Sequence, residues 1–127
     1  MSLLDKLFPK KKPVCRREMP TWDEVVAHMQ DKELSFLSHT IVRTFSSRDK
    51  AKRIILLQSD HGYYKAVYEK IRVWDADELN YFAYDLDKYP ARWEQPAGIS
   101  FSHSLFGTEA DAIWTIMESP EYKVDFD

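Results

Sequence analysis

The stretch from Gly62 to Asp75, GYYKAVYEKIRVWD, constrains the fold of this chain more than any other. It is dense in β-branched and aromatic residues and carries no proline, so it reads as one long strand. Fully extended it would span about 40 Å, long for a small domain, so a bend is expected. Tyr64, Ala66 and Tyr68 share one face of such a strand, while Ile71 and Val73 fall on the other. A β-bulge near Glu69–Lys70 would return them to a common side.

The neighbouring segments read as partners to this strand. Arg53 to Gln58, RIILLQ, is a continuous apolar run, the mark of a strand covered on both faces or of a central one. Residues 36–46 alternate through Ile41 and Phe45 and read as a third strand. Polar turns at 46–50 and 59–62 join the three, which predicts an antiparallel meander. Ile99 to Phe106 alternates strictly and reads as a fourth strand at one end of the sheet.

Three segments carry helical spacing. Thr21 with Glu24 forms a capping box ahead of Trp22, Val25, Val26 and Met29, which fall at i, i+3, i+4, i+7. His28 lies at the boundary of that stripe. Asp75 with Glu78 repeats the capping pattern ahead of Leu79, Phe82, Ala83 and Leu86, giving a helix over 76–87; a strand over 80–86 is the rival reading. Thr108 with Asp111 opens a third helix, with Ala110, Ile113, Trp114 and Met117 as its stripe. The expected architecture is α+β, an antiparallel four-stranded sheet in the order α-β-β-β-α-β-α with the helices packed on it.

With 127 residues and three glycines, the chain has the size of one domain, assigned to 19–127. Residues 1–18 read as a separate, flexible basic segment carrying Lys6, Lys10, Lys11, Lys12, Arg16 and Arg17. Its Leu3, Leu4, Leu7 and Phe8 give it an amphipathic character, either a weak membrane-surface or partner anchor or a frayed tail. Cys15 is the single cysteine, so no internal disulfide is possible, in keeping with a reducing compartment. Its arginine neighbours do not supply a base, and it reads as a bystander. No secretory pattern and no transmembrane-length run is visible, so a cytoplasmic location is expected. Net charge is −3, with the acids concentrated after residue 75.

His28, His39, His61 and His103 have no metal-ligand spacing, and there is no second cysteine, so neither a metal nor a cofactor is expected. Three glycines cannot build a glycine-rich phosphate loop. Ser102 and Ser104 flank His103, but strand neighbours point to opposite faces, so no dyad follows. No catalytic residue is assigned. A small enzyme would need His39 and His103 to share a pocket with a carboxylate. A nucleic-acid or membrane-surface binder would use Arg48, Lys50, Lys52 and Arg53, with Tyr63, Tyr64 or Trp74 stacking bases; the net acidity argues against it.

The segment 89–98, Tyr-Pro-Ala-Arg-Trp-Glu-Gln-Pro-Ala-Gly, is the least ordinary stretch, and its residues 89–96 are the preferred working surface. Its prolines and glycine predict a loop without a regular element. Tyr, Arg and Trp dominate binding energy when a partner covers them, and prolines reduce the entropy lost on docking. The expected partner contacts are Tyr89, Arg92, Trp93 and Glu94, with Asp85 and Asp87 at the rim. The competing reading has Trp93 folded onto the sheet.

A small acidic α+β domain with an aromatic-proline loop, Tyr89-Pro90-Ala91-Arg92-Trp93-Glu94, resembles the bacterial immunity proteins of polymorphic-toxin systems. The resemblance is architectural and carries over no individual contact. It implies tight, non-catalytic binding to a toxin domain and blockage of its active site. An acidic module of this kind would meet a basic toxin such as a nuclease.

Overall fold

The run of apolar residues in the second strand is buried from both sides. The computed structural model describes residues 19–31, 36, 38–82, 84, 85 and 87–127. The expectations for residues 1–18 and for Ala83 and Leu86 lie outside these. Strands β1 (His39–Ser46), β2 (Lys52–Ser59), β3 (Tyr64–Val73) and β4 (Ala91–Glu94) form one antiparallel sheet in the order β1-β2-β3-β4. Helices α1 (Trp22–Asp31), α2 (Ala76–Tyr81), α3 (Glu109–Glu118) and α4 (Pro120–Asp125) complete it. The α+β class and the succession of strands and helices are those expected from sequence, with α4 following directly on α3.

The sheet is covered on both faces. Ile54, Leu56, Ala66 and Tyr68 share a core with Phe101 and with Ala112 and Ile116 of α3. On the opposite face Val25 and Met29 of α1 pack on Ile71 and Ala91, with Val73, Tyr89 and Trp93 at the margin. Ile55, Leu57 and Val67 extend that second face toward β1, with Phe36 and Ile41 packed against them. Ile54, Ile55 and Leu56 are completely inaccessible. Burying each such side chain stabilises the fold by roughly 1.5–3 kcal/mol before the entropy of ordering is set against it.

Two-sided cover also corrects the reading of β3. Its register with β2 runs without a break from Gln58–Tyr64 to Lys52–Lys70, so there is no bulge at Glu69–Lys70. Apolar residues on both of its faces each find a core, and no shift is needed to bring them together. The irregularity lies in β1, between Ile41 and Arg43.

The fourth strand comes from a different segment than the alternation suggests. β4 is Ala91–Glu94, inside the proline-rich stretch, and it pairs with Lys70–Val73. Ile99 to Phe106 is instead a series of turns, with Ser102 N donating to Ile99 O and Ser104 N to Phe101 O. Phe101 is buried and Ile99 packs beside it, so the apolar side chains serve as anchors without the backbone extending. Only Phe106 reaches the sheet, as a single bridge to Tyr64.

Helix ends follow the capping residues. The Asp75 carboxylate accepts from Glu78 N at 2.8 Å, and the Glu78 carboxylate accepts from Asp75 N. The same reciprocal pattern joins Thr21 and Glu24, and Thr108 Oγ1 accepts from Asp111 N. α2 stops at Tyr81, short of the expected residue 87, and no strand occupies the described residues of 80–86. α3 is rotated relative to the expected stripe. Ala112 and Ile116 are buried, whereas Trp114 is 67% exposed and Met117 44%. The helix carries two overlapping apolar stripes, and the smaller side chain of Ala112 permits close approach to the sheet.

The carboxyl end is fastened to the rest of the domain by polar contacts. Arg48 donates to Val124 O, and Lys52 pairs with Asp125 at 2.9 Å. Glu121 accepts from Ser100 N and Ser100 Oγ, both at 2.8 Å, tying α4 to the turn at 99–103. Burial acts to raise the Glu121 carboxyl, but these donors outweigh it and hold the group below its ordinary value. A depressed carboxyl contributes stability above its unfolded pKa and loses it as pH falls through the folded one. Acidification below the ordinary glutamate range should therefore release this latch. The Ser100 amide proton should move with Glu121 protonation in an NMR titration, and Glu121→Gln should abolish the movement.

Candidate functional site

β4 is an edge strand only four residues long, framed by Pro90 and Pro96. Its side chains alternate between two environments. Ala91 and Trp93 face α1, while Arg92 and Glu94 face outward on the other side.

Trp93 is thereby part of the fold. Its indole Nε1 donates to Met29 O at 3.1 Å, and the Arg53 guanidinium lies 3.9 Å from its ring centroid. Arg53 is itself buried and paired with buried Glu69 at 2.6 Å. Burial pulls the Arg53 guanidinium below its ordinary value, while Glu69 opposes that shift. Tyr89 is half-buried, stacked on His28 with ring centroids 3.5 Å apart.

Arg92 and Glu94 belong to an ion network on the outer surface. Glu78 is its centre, with one oxygen 2.7 Å from Arg72 and the other 3.0 Å from Arg92. Asp75 lies 3.2 Å from Arg72, and Glu94 approaches both arginines at 3.8–4.0 Å. The network fixes the orientation of α2 against β3 and β4. Arg92 remains half exposed.

Beside the network stands a surface the sequence reading did not single out. Tyr81 is 82% exposed and Tyr84 89%. Asp77, Asp85 and Asp87, within a few residues of them in sequence, are also exposed. Between residues 75 and 90 there are five carboxylates and one lysine. That lysine, Lys88, holds its ammonium 4.2 Å from the Phe82 ring centroid. Phe82 in turn packs on buried Trp74, 4.9 Å between centroids. A signal for this surface was present: with Leu79 and Phe82 inward, Tyr81 and Tyr84 fall on the outer side of the turn.

The other candidates are dispersed. His39 opens β1 opposite Ser59, whereas His103 is exposed in a turn that lines a cavity along β3; His39 is not among the residues lining it. Of the cations assigned to a basic face, Arg48 and Lys52 engage the carboxyl end and Arg53 is buried. Trp74 is buried, which removes one of the three proposed stacking rings from the surface, and Tyr64 is half-buried. Among the described residues, no group of three or more His, Cys, Asp or Glu side chains could hold a metal ion. No helix among them is long and apolar enough to cross a membrane.

Comparison with protein-family models, with curated proteins and with solved structures finds no match.

Proposed function

We propose that this chain is a non-enzymatic protein-binding module whose acidic, tyrosine-bearing surface takes a basic partner domain. The observation that carries the reading is the pair Tyr81 and Tyr84, almost fully exposed amid carboxylates. A large aromatic ring left in water gains free energy when a partner covers it, and tyrosine can also hydrogen-bond there. The surrounding carboxylates would steer a cationic partner and set its orientation. Asp85, Asp87 and Arg92 stand at the rim, while Tyr89 and Trp93 support the surface from the α1 side and Glu94 steadies Arg92.

On the resemblance to immunity proteins, the partner would be a basic toxin domain, such as a nuclease, whose active site the module would cover. The test uses the purified product of the neighbouring gene. Replacing Tyr81 and Tyr84 together with alanine should weaken binding by on the order of 100-fold, as for a pair of central contacts. The unfolding midpoint should fall only slightly, because both residues are largely exposed and the one ring contact at stake is the edge of Tyr81 on Phe82, worth about 0.5–1.5 kcal/mol. Undiminished affinity in the double variant would overturn the assignment of this surface.

A further inference from the structure

The outer edge of β3 is covered at both ends and bare in the middle. Odd-numbered residues of β3 bond to β2, as shown by Ser59 N donating to Tyr63 O and Ile71 N to Ala51 O. Even-numbered residues therefore direct their N–H and C=O outward. Tyr64 exchanges both bonds with Phe106, and from Lys70 onward β4 is the partner. Ala66 and Tyr68 lie between, and no described residue bonds to their outward backbone groups.

The reason is in the sequence. Continuing the β4 register would set Pro96 opposite Tyr68 and Gly98 opposite Ala66. Proline has no N–H to offer, and Gly98 has φ +80, off the extended path. The chain leaves the sheet at Gln95 and returns only at Phe106. A cavity of about 320 Å³ remains between, lined by Lys65–Tyr68, by residues 95–99, and by Ser102 and His103. That volume is within the range of small-ligand sites, about 300–1,000 Å³.

We infer that this slot is a binding site for the carboxyl end of an extended peptide. Four outward backbone groups, two donors and two acceptors, are the template onto which a strand adds. The Phe106 bridge and Glu94 close the slot at its two ends, so a continuous strand cannot run through it. A short chain terminus can enter from the solvent side, between those two ends. The ionisable side chains in the lining are Lys65, His103 and Tyr68, with no carboxylate. Lys65 and His103 favour a terminal carboxylate over a terminal amine. This site is separate from the tyrosine surface and does not depend on the reading of that surface.

The experiment follows backbone amides of the full chain by NMR. In the free protein, Ala66 and Tyr68 amides should exchange with solvent much faster than Val67 and Glu69, which donate to β2. Equal protection would show the slot already satisfied and overturn the proposal. The probe is a pool of acetylated tripeptides, randomised at each position, with a free carboxyl end; its control is the same pool amidated. The free-acid pool should shift the Ala66 and Tyr68 amides and slow their exchange. The amidated pool should bind about tenfold more weakly, as should the acid pool with Lys65→Ala or His103→Gln. Exposed His103 tolerates replacement, so at least one variant keeps the fold. No shift with the acid pool would leave the slot to water, and equal binding of both pools would show that the terminal carboxylate is not recognised; either result would overturn the assignment.

Discussion

Glu69→Ala should destabilise the domain by about 3–5 kcal/mol, the largest effect expected of any single charge removal here. The carboxylate is buried and sits 2.6 Å from the Arg53 guanidinium, which is also buried. Removing it leaves an enclosed guanidinium without its ion-pair partner among the described residues, and a side chain so charged cannot neutralise itself by losing a proton. The Trp93 ring over Arg53 offers only a weak substitute, since a cation–π contact contributes about 0.5–2 kcal/mol. Replacing both members, as Arg53→Met with Glu69→Leu, removes the stranded charge and should recover most of the loss. Urea unfolding of the three variants checks this. A Glu69→Ala midpoint near that of the parent would show that water reaches Arg53.

The pair also shows where sequence reading succeeds and where it fails. The RIILLQ run was legible as a doubly covered strand because four consecutive apolar side chains cannot all point one way. What it did not disclose is that the covered faces continue into β3, so the two-faced pattern of Ala66, Tyr68, Ile71 and Val73 suggested a bulge that the strand does not have. Arg53 and Glu69 sit within this doubly covered region, where only their mutual pairing makes burial tolerable. The capping boxes at Thr21 and Asp75 were legible because they are local, requiring residues three apart and nothing else. β4 was hidden because prolines such as Pro90 and Pro96 usually interrupt regular structure, whereas here they bound the four residues that pair. Ile99–Phe106 misled for the converse reason: alternation arises wherever side chains anchor a turn. The candidate surface was only partly legible. The aromatic-proline segment pointed to Arg92, with Asp85 and Asp87 beside it, but a tyrosine's exposure depends on how its segment docks. For Tyr81 and Tyr84 that is set by the Glu78 network and by the contact of Phe82 with Trp74.

Trp93→Ala should cost about 2–3 kcal/mol of stability, which distinguishes a supporting side chain from a freely presented one. Full truncation of a buried tryptophan costs about 3–5 kcal/mol, and Trp93 is half-buried, so a reduced share applies. Loss of its hydrogen bond to Met29 O adds about 1 kcal/mol if that carbonyl finds no substitute. The damage should spread to Arg53, whose guanidinium loses the ring against it, and to α1, whose Met29 turn is held there. Trp93→Phe keeps the ring over Arg53 but not the donor, and should recover all but the hydrogen-bond share. Denaturant unfolding of both variants, with partner binding measured under strongly folding conditions, separates the two roles. If the indole only supports the fold, Trp93→Ala should lose stability while the folded fraction still binds through Tyr81 and Tyr84. Unchanged stability with abolished binding would place the indole in the partner's contact surface and require β4 to detach from α1 on docking.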